Sequence, residues 1–336
     1  GDYDQDGDLD LFVGGRILPQ KYPYPPRSYV LRNDGGKFTD VTESVAPELA
    51  TRGLVTSAVW SDFDGDKDPD LFVVGEWMPI AVFENDGGHF TEITENKGLG
   101  NTTGWWFKIV ENDFDGDGDP DYVVGNIGLN HKFTATEEKP FNVYCSDFDS
   151  TGTLDIVLAY YLDKDLVPVR GRDCSSEQMP FITEKFPTFE DFGEATLPEI
   201  LGDKINTSLH YEAKLFASVY LENTGTGFEI HPLPTLAQLS AVTSIIPHDF
   251  NGDGHTDLVL AGNMYQTEVE TSRADANLGL FLTGDGHGNF EPMEWTQSGF
   301  FAPGDVKDAR FLNGKIVVVA RNNDRTLVFR LSKEAL

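Results

Sequence analysis

The apolar residues of this chain fall in short continuous runs. Leu71-Phe72-Val73-Val74, Tyr122-Val123-Val124, Ile156-Val157-Leu158 and Leu258-Val259-Leu260 are rich in β-branched and aromatic residues and bounded by turn formers. Runs of this length and composition predict strands buried on both faces, since helices need longer, 3.6-periodic patterns. Around the second run the order of elements is clear. Val55–Trp60 leads in, Ile80–Phe83 follows, Asn85-Asp86-Gly87-Gly88 makes a turn, and Phe90–Ile93 closes a four-stranded unit. Its strands are called A to D below. The C–D turn recurs at Asn33-Asp34-Gly35-Gly36, Asn223-Thr224-Gly225 and Gly284-Asp285-Gly286. Val306–Leu312, Ile316–Ala320 and Leu327–Leu331 predict three more strands, the first two joined by Asn313-Gly314. Ser176–Gly202 differs. There Phe181, Phe186, Phe189, Phe192, Leu197 and Ile200 alternate with acids, which predicts a helical insertion (176–202) between units. The predicted class is all-β, a single repeat domain over 1–336 or a large fragment of one, and no run reaches the ~20 apolar residues of a membrane span.

What precedes each B strand, except that of the last unit, is an acidic loop of fixed spacing. The first is Asp2, Asp4, Asp6, Asp10; the second Asp62, Asp64, Asp66, Asp70; the third Asp113, Asp115, Asp117, Asp121. The fourth is Asp147, Asp149, Thr151, Asp155, and the fifth Asp249, Asn251, Asp253, Asp257. A glycine stands at the sixth position of all but the second, which has Lys67. The first two intervals between loops suit a four-stranded unit. The third interval is short, so the unit opened at Asp113 has lost strands or shares them, and the last is long enough to hold an interruption.

These loops account for a composition that is otherwise puzzling. The chain of 336 residues carries 56 Asp and Glu against 25 Lys and Arg, a formal charge of −31. Nucleic acid is excluded as a partner, because its phosphates repel such a surface. Disorder is excluded by 12% aromatic content placed in strand-like runs. Three carboxylates on alternate residues repel each other unless a cation offsets them. An all-oxygen set at positions 1, 3, 5 and 9 suits Ca²⁺, which takes six to eight oxygens, better than Mg²⁺ or Zn²⁺. An EF-hand would need a Glu at position 12, where Val73, Val124, Leu158 and Leu260 stand inside strands. The loops are therefore expected to hold several structural Ca²⁺ ions. The seven His show no metal spacing. Cys145 and Cys174 are too few for a disulfide scaffold and are expected as two unpaired thiols.

The D-x-D-x-D-G-x-x-D-[LI] loops resemble the FG-GAP/VCBS repeats of integrin α-type propellers. Gly104-Trp105-Trp106, Gly125-Asn126-Ile127-Gly128-Leu129-Asn130, Phe216–Leu221, Ala261-Gly262-Asn263 and Ala320–Asp324 are similar to the C-terminal part of bacterial VCBS-repeat proteins of the ASPIC/UnbV-associated kind. The resemblance implies a Ca²⁺-binding β-propeller, with six or seven blades in the parent ring. It also implies an exported protein, secreted, periplasmic or on the cell surface. Gly1 opens inside a motif, so the first blade is expected to lack strand A, and any surface anchor would lie in a preceding region. Propeller geometry sends the acidic loops to one end and the B–C and D–A connections to the other. That second end would gather Arg16, Trp77, Trp105, Trp106, Asn126, Asn130, Asn263, Tyr265, Glu268, Arg321 and Asn322. Aromatic, amide and guanidinium groups together suit a glycan or protein ligand. The expected function is a binding module without catalytic residues. Alternatives are a lyase-like enzyme acting on polysaccharide, which needs a base beside an open metal, and an architectural spacer.

Overall fold

The computed structural model describes residues 1–267 and 271–332. Glu268, one of the expected ligand-face residues, lies outside them. Among the described residues the strands form six antiparallel sheets, with only short helices between them. The first sheet contains Leu11–Val13, Tyr29–Asp34 and Lys37–Asp40. The second contains Leu54–Ser61, Asp70–Met78, Ala81–Asp86 and His89–Glu92, with Gly104–Trp105 added at the end of the long strand. The fourth contains Val242–His248, Asp257–Gly262, Leu280–Gly284 and Phe290–Met293. The fifth contains Val306–Leu312, Ile316–Arg321 and Leu327–Arg330. No helix among the described residues is long and apolar enough to cross a membrane.

The third sheet explains the irregular intervals. Its A and B strands are Lys108–Asn112 and Asp121–Gly125, but its C and D strands are Val219–Asn223 and Phe228–Pro232. Tyr122 pairs Leu221 and Val124 pairs Val219, so residues 126–218 leave and return at one strand end. The excursion carries the fourth acidic loop and a sheet of its own, ordered Asp165–Pro168, Asp155–Leu162, Phe141–Ser146, Leu209–Ala213. The expectation of lost or shared strands is thereby corrected: the unit is complete but interrupted. The helices Arg172–Gln178, Phe181–Lys185, Phe189–Gly193 and Leu197–Leu201 belong to this excursion. They lie inside the third unit rather than between units, because their apolar side needs the inserted sheet. Met179, Ile182, Phe192, Leu197 and Ile200 bury against Tyr144, Phe148 and Val157. Capping boxes at Thr188 and Thr196 start the last two helices, each hydroxyl accepting an N–H three residues on.

The A strands set the packing order. Leu54–Ser61 lies against Lys108–Asn112, that strand against Val242–His248, and that one against Val306–Leu312. Neighbouring sheets thus cover both faces of the B strands of the second, third and fourth sheets, whereas Leu11–Val13 of the first is largely exposed. Every residue of Asp121–Gly125 and of Asp257–Gly262 is buried. This is why the B-strand sequences read as continuous apolar runs rather than alternations. Phe72 of the second sheet stacks on Tyr122 of the third, ring centroids 4.1 Å apart, and Val74, Val82, Trp106 and Leu221 join them. Each such side chain contributes about 1.5–3 kcal/mol on burial. The inserted sheet docks separately. Phe141, Val143 and Ala213 pack on Trp77, Ile127 and Phe216 at the far end of the B strands.

Candidate functional site

Each acidic loop is held by one repeated device. The ninth-position carboxylates, Asp10, Asp70, Asp121, Asp155 and Asp257, are essentially buried. Each accepts the backbone N–H of the second loop residue: Tyr3 to Asp10, Phe63 to Asp70, Phe114 to Asp121, Phe148 to Asp155 and Phe250 to Asp257, at 2.9–3.3 Å. In four sheets the other oxygen accepts an N–H from the C–D turn, given by Asn33, Asn85, Asn223 and Gly284. The sixth-position N–H of Gly7, Lys67, Gly152 and Gly254 donates to the first Asp of its loop. That bond demands a left-handed backbone. Lys67 adopts it at φ 81°, beside glycines at 86–99° in the other loops, without glycine's steric freedom.

The exposed ends of these loops gather oxygens. Ligand-capable atoms of Asp2, Asp4 and Asp6 lie within 4.8 Å of one another, as do those of Asp62, Asp64 and Asp66, of Asp113, Asp115 and Asp121, and of Asp147, Asp149 and Asp155. Two observations test whether a cation fits. Asp4 Oδ1 and Asp119 Oδ1, the latter at the seventh position of its loop, are buried without a hydrogen-bond donor. Burial, reinforced by neighbouring carboxylates, pushes Asp119 up to about 6 and Asp70 up to about 7. Burial likewise raises Asp4, Asp115 and Asp121. Oxygens that lack donors and resist ionisation are what a hard divalent cation would satisfy, so the donor set fits Ca²⁺.

The fourth loop differs in a way the sequence did not reveal. The Lys204 ammonium donates to the carbonyls of Asp147 and Phe148 and to Ser150 Oγ, at 2.8–3.3 Å. A fixed positive charge already offsets this loop, and Thr151 removes one carboxylate. Asp115→Ala is therefore expected to remove more calcium-dependent thermal stability than Asp149→Ala. Calcium titration of the melting temperature checks this, and equal losses would contradict it.

A second function of the loops lay unread in the sequence: the aromatic residue between the first two acids. Tyr3, Phe63 and Phe114 each reach the next sheet and meet the phenylalanine at the start of its D strand, the first residue in two of them and the second in His89–Glu92. The ring centroids are 5.5 Å apart for Tyr3 and Phe90, 6.0 Å for Phe63 and Phe228, and 5.6 Å for Phe114 and Phe290. Their carbonyls accept from the same neighbour, from Asn85 Nδ2, Asn223 Nδ2 and the Gly288 N–H respectively. The signal was a Tyr or Phe at the second position of every loop.

The expected ligand face comes together only in part. Trp77 is buried, its Nε1 donating to Tyr22 Oη at 2.6 Å and its ring stacked on Phe141. Trp106 is fully buried and donates to the Thr102 carbonyl. Asn126 and Asn263 are buried too. Asn126 Nδ2 donates to the Leu215 carbonyl while its Oδ1 accepts from the Trp105 and Ile127 N–H groups. Asn263 Nδ2 donates to the carbonyls of Asn277 and Gly304. The Arg321 guanidinium is spent on the carbonyls of Pro303 and Arg325 and on Asp324. Asn322 bonds Asp305, Asn130 bonds the Leu239 carbonyl, and Arg16 pairs with Glu76 at 2.5 Å. Tyr265 lies under Arg273, 4.2 Å from ring centroid to guanidinium carbon. Trp77, Trp106, Asn126, Asn263 and Arg321 are thus corrected from ligand groups to packing and backbone partners. Their polar atoms satisfy chain that leaves the sheets at the strand ends, where unpaired backbone is costly to bury.

Trp105 is different. It is half-buried and borders a cavity of about 350 Å³ together with Tyr22, Glu76, Phe107, Phe133 and Met264. Its ring meets Trp77, Phe133, Phe141 and Phe216 edge-on or tilted, yet its indole Nε1 is buried without an acceptor. Phe133 and Leu158, contributed by the excursion, complete the wall; motif spacing alone gives no sign that the inserted sheet reaches this point. Cys145 is buried, Cys174 is half-buried, and no disulfide joins them.

Residues 2–73 and 62–124 match the model of the FG-GAP-like repeat family, covering the first three acidic loops. The fourth and fifth loops lie outside these matched residues but repeat the same N–H to ninth-carboxylate bond. No curated protein matches the chain.

Proposed function

We propose that this chain is a calcium-stabilised, extracytoplasmic interaction module whose sheets are blades of a propeller, and whose ligand enters the cavity beside Trp105. The observation that carries the binding reading is the half-buried Trp105 side chain on the wall of a cavity it shares with Tyr22, Phe107 and Phe133, with Glu76, Gln266 and Thr267 beside them. Apolar rings with one or two directed polar groups suit a sugar ring or a peptide side chain bearing a carbonyl. The FG-GAP-like repeats support the interaction role, and the successive packing of A strands supports a radial arrangement. Extracytoplasmic placement is supported by the loops themselves. Calcium sites of extracellular modules work with dissociation constants of about 10⁻⁴–10⁻³ M, which only a calcium-rich compartment fills.

A glycan and peptide binding screen tests the reading. Trp105→Ala is expected to abolish binding of any ligand found, while leaving the calcium dependence of the melting temperature nearly intact. Ligand binding that persists in this variant would exclude the cavity as the site.

A further inference from the structure

The C and D strands of the third sheet carry two like charges face to face. Glu222 of Val219–Asn223 pairs directly with Glu229 of Phe228–Pro232. Carboxylates directly opposite each other on one face of an antiparallel pair repel and destabilise it. Among the described residues no lysine or arginine pairs with either. What stands beside them is an imidazole. His231, two residues beyond Glu229, shares its face of the strand. Its Nε2 lies 2.9 Å from Glu222 Oε2 and 4.0 Å from Glu229 Oε2. Ligand-capable atoms of all three fall within 4.8 Å of one another.

This gathering is unlike the acidic loops. Among the described residues it is the only cluster of ligand-capable groups that includes a nitrogen donor. All-oxygen sets select calcium, whereas imidazole with carboxylates suits zinc and its neighbours in the first transition row. The imidazole is also held in place. His231 stacks on Tyr220, its partner across the strands, at 5.7 Å between ring centroids. Tyr220 is itself fixed by donating its hydroxyl to the buried Asp121. Glu222 and His231 open on a groove of about 290 Å³ between the third and fourth sheets. Its other wall, from the C–D turn and D strand of the fourth sheet, bears His287 and Glu291. The spacing of the seven histidines gives no sign of this set, because its members meet across paired strands rather than along one.

We propose that Glu222, Glu229 and His231 bind one divalent ion of the zinc class, with its fourth position open to the groove. The ion takes the place of the proton that joins His231 Nε2 to Glu222 Oε2. It offsets the two opposed carboxylates and ties strand C to strand D, the pair with which the third sheet resumes after the excursion. The proposal depends neither on calcium in the loops nor on the Trp105 cavity.

The test uses the untagged 336-residue chain, stripped of metal and then held in millimolar calcium so that the acidic loops do not take up the added ion. Zinc titrated under calorimetry should bind with a stoichiometry of one. Cobalt(II) in its place should give the intense visible bands of a four-coordinate ion. His231→Gln, which keeps a side-chain donor towards Glu222, and Glu222→Gln should each weaken zinc binding at least about tenfold, since losing even a second partner of a metal ligand costs about that much. Melting in calcium alone reports whether each variant is folded, and Glu229→Gln, at an exposed position, gives the same comparison where one of them is not. No zinc binding in calcium, full affinity in His231→Gln or Glu229→Gln, or cobalt bands that survive in the variants would each overturn the proposal and leave His231 as an ordinary ion-pair partner.

Discussion

Removing calcium from this protein is expected to lower its melting temperature by about ten degrees or more. Metal that binds only the native state stabilises it by mass action, about 2.7 kcal/mol for each site at a hundredfold excess over its dissociation constant. In a chain of this size each kcal/mol moves the midpoint by roughly 1.4 °C, so three or more filled sites together give the shift. The expectation rests on the loops with the least internal compensation. Asp119 and Asp4 keep buried oxygens without donors, and among the described residues no lysine bridges those loops as Lys204 bridges the fourth. Calorimetry with and without chelator, followed by calcium add-back, measures the shift. A melting curve indifferent to chelator would show that these are hydrogen-bonded acidic turns and nothing more.

Phe114→Ala is expected to destabilise the chain by about 3–5 kcal/mol, the usual cost of removing a buried phenylalanine ring. The ring joins two sheets at once, meeting Tyr220 of the third at 6.0 Å and Phe290 of the fourth at 5.6 Å. Its loss leaves a void between them rather than at the edge of either. Phe114→Leu, which retains most of the apolar volume, should recover more than half of the loss. Denaturant unfolding of both variants gives the comparison. If alanine costs less than about 1 kcal/mol, the loop aromatics do not hold the sheets together. The Phe114 N–H and carbonyl engage Asp121 and Gly288 through the backbone, so alanine keeps those bonds.

How far these features could be read before the structure depended on their range along the chain. The loops, the B strands and the C–D turns are local, each written within about a dozen residues, and the strands appear where the apolar runs put them. Pairing is not local. Nothing near Gly125 says that its sheet resumes at Val219, because turn and strand signals do not name their partners. The ligand face failed for a related reason. Asn126 and Asn263 follow glycines at strand ends, a pattern that equally serves a binding site or a chain needing side-chain amides for its own carbonyls. Only the three-dimensional partners, Leu215 for one and Asn277 with Gly304 for the other, decide between them. The second-position aromatics were visible in all five loops, yet the alternation of acids drew the reading towards metal and away from packing.

The interruption of the third sheet fixes an order of events during synthesis. The second sheet is contiguous, so its strands can pair as soon as residue 92 has emerged. The third cannot gain its C and D strands until the whole of 126–218 has been made, by which time that excursion can have formed its own core of helices on the inserted sheet. The entropy of closing so long a loop grows only as the logarithm of its length, and a prefolded excursion whose two ends already stand together reduces that cost further. Until closure, Tyr122 and Val124 lack their strand partners Leu221 and Val219, and the B strand presents an open apolar edge. The nascent chain is therefore most exposed to wrong pairing between the emergence of Gly125 and that of Asn223, and this interval is where a chaperone would act.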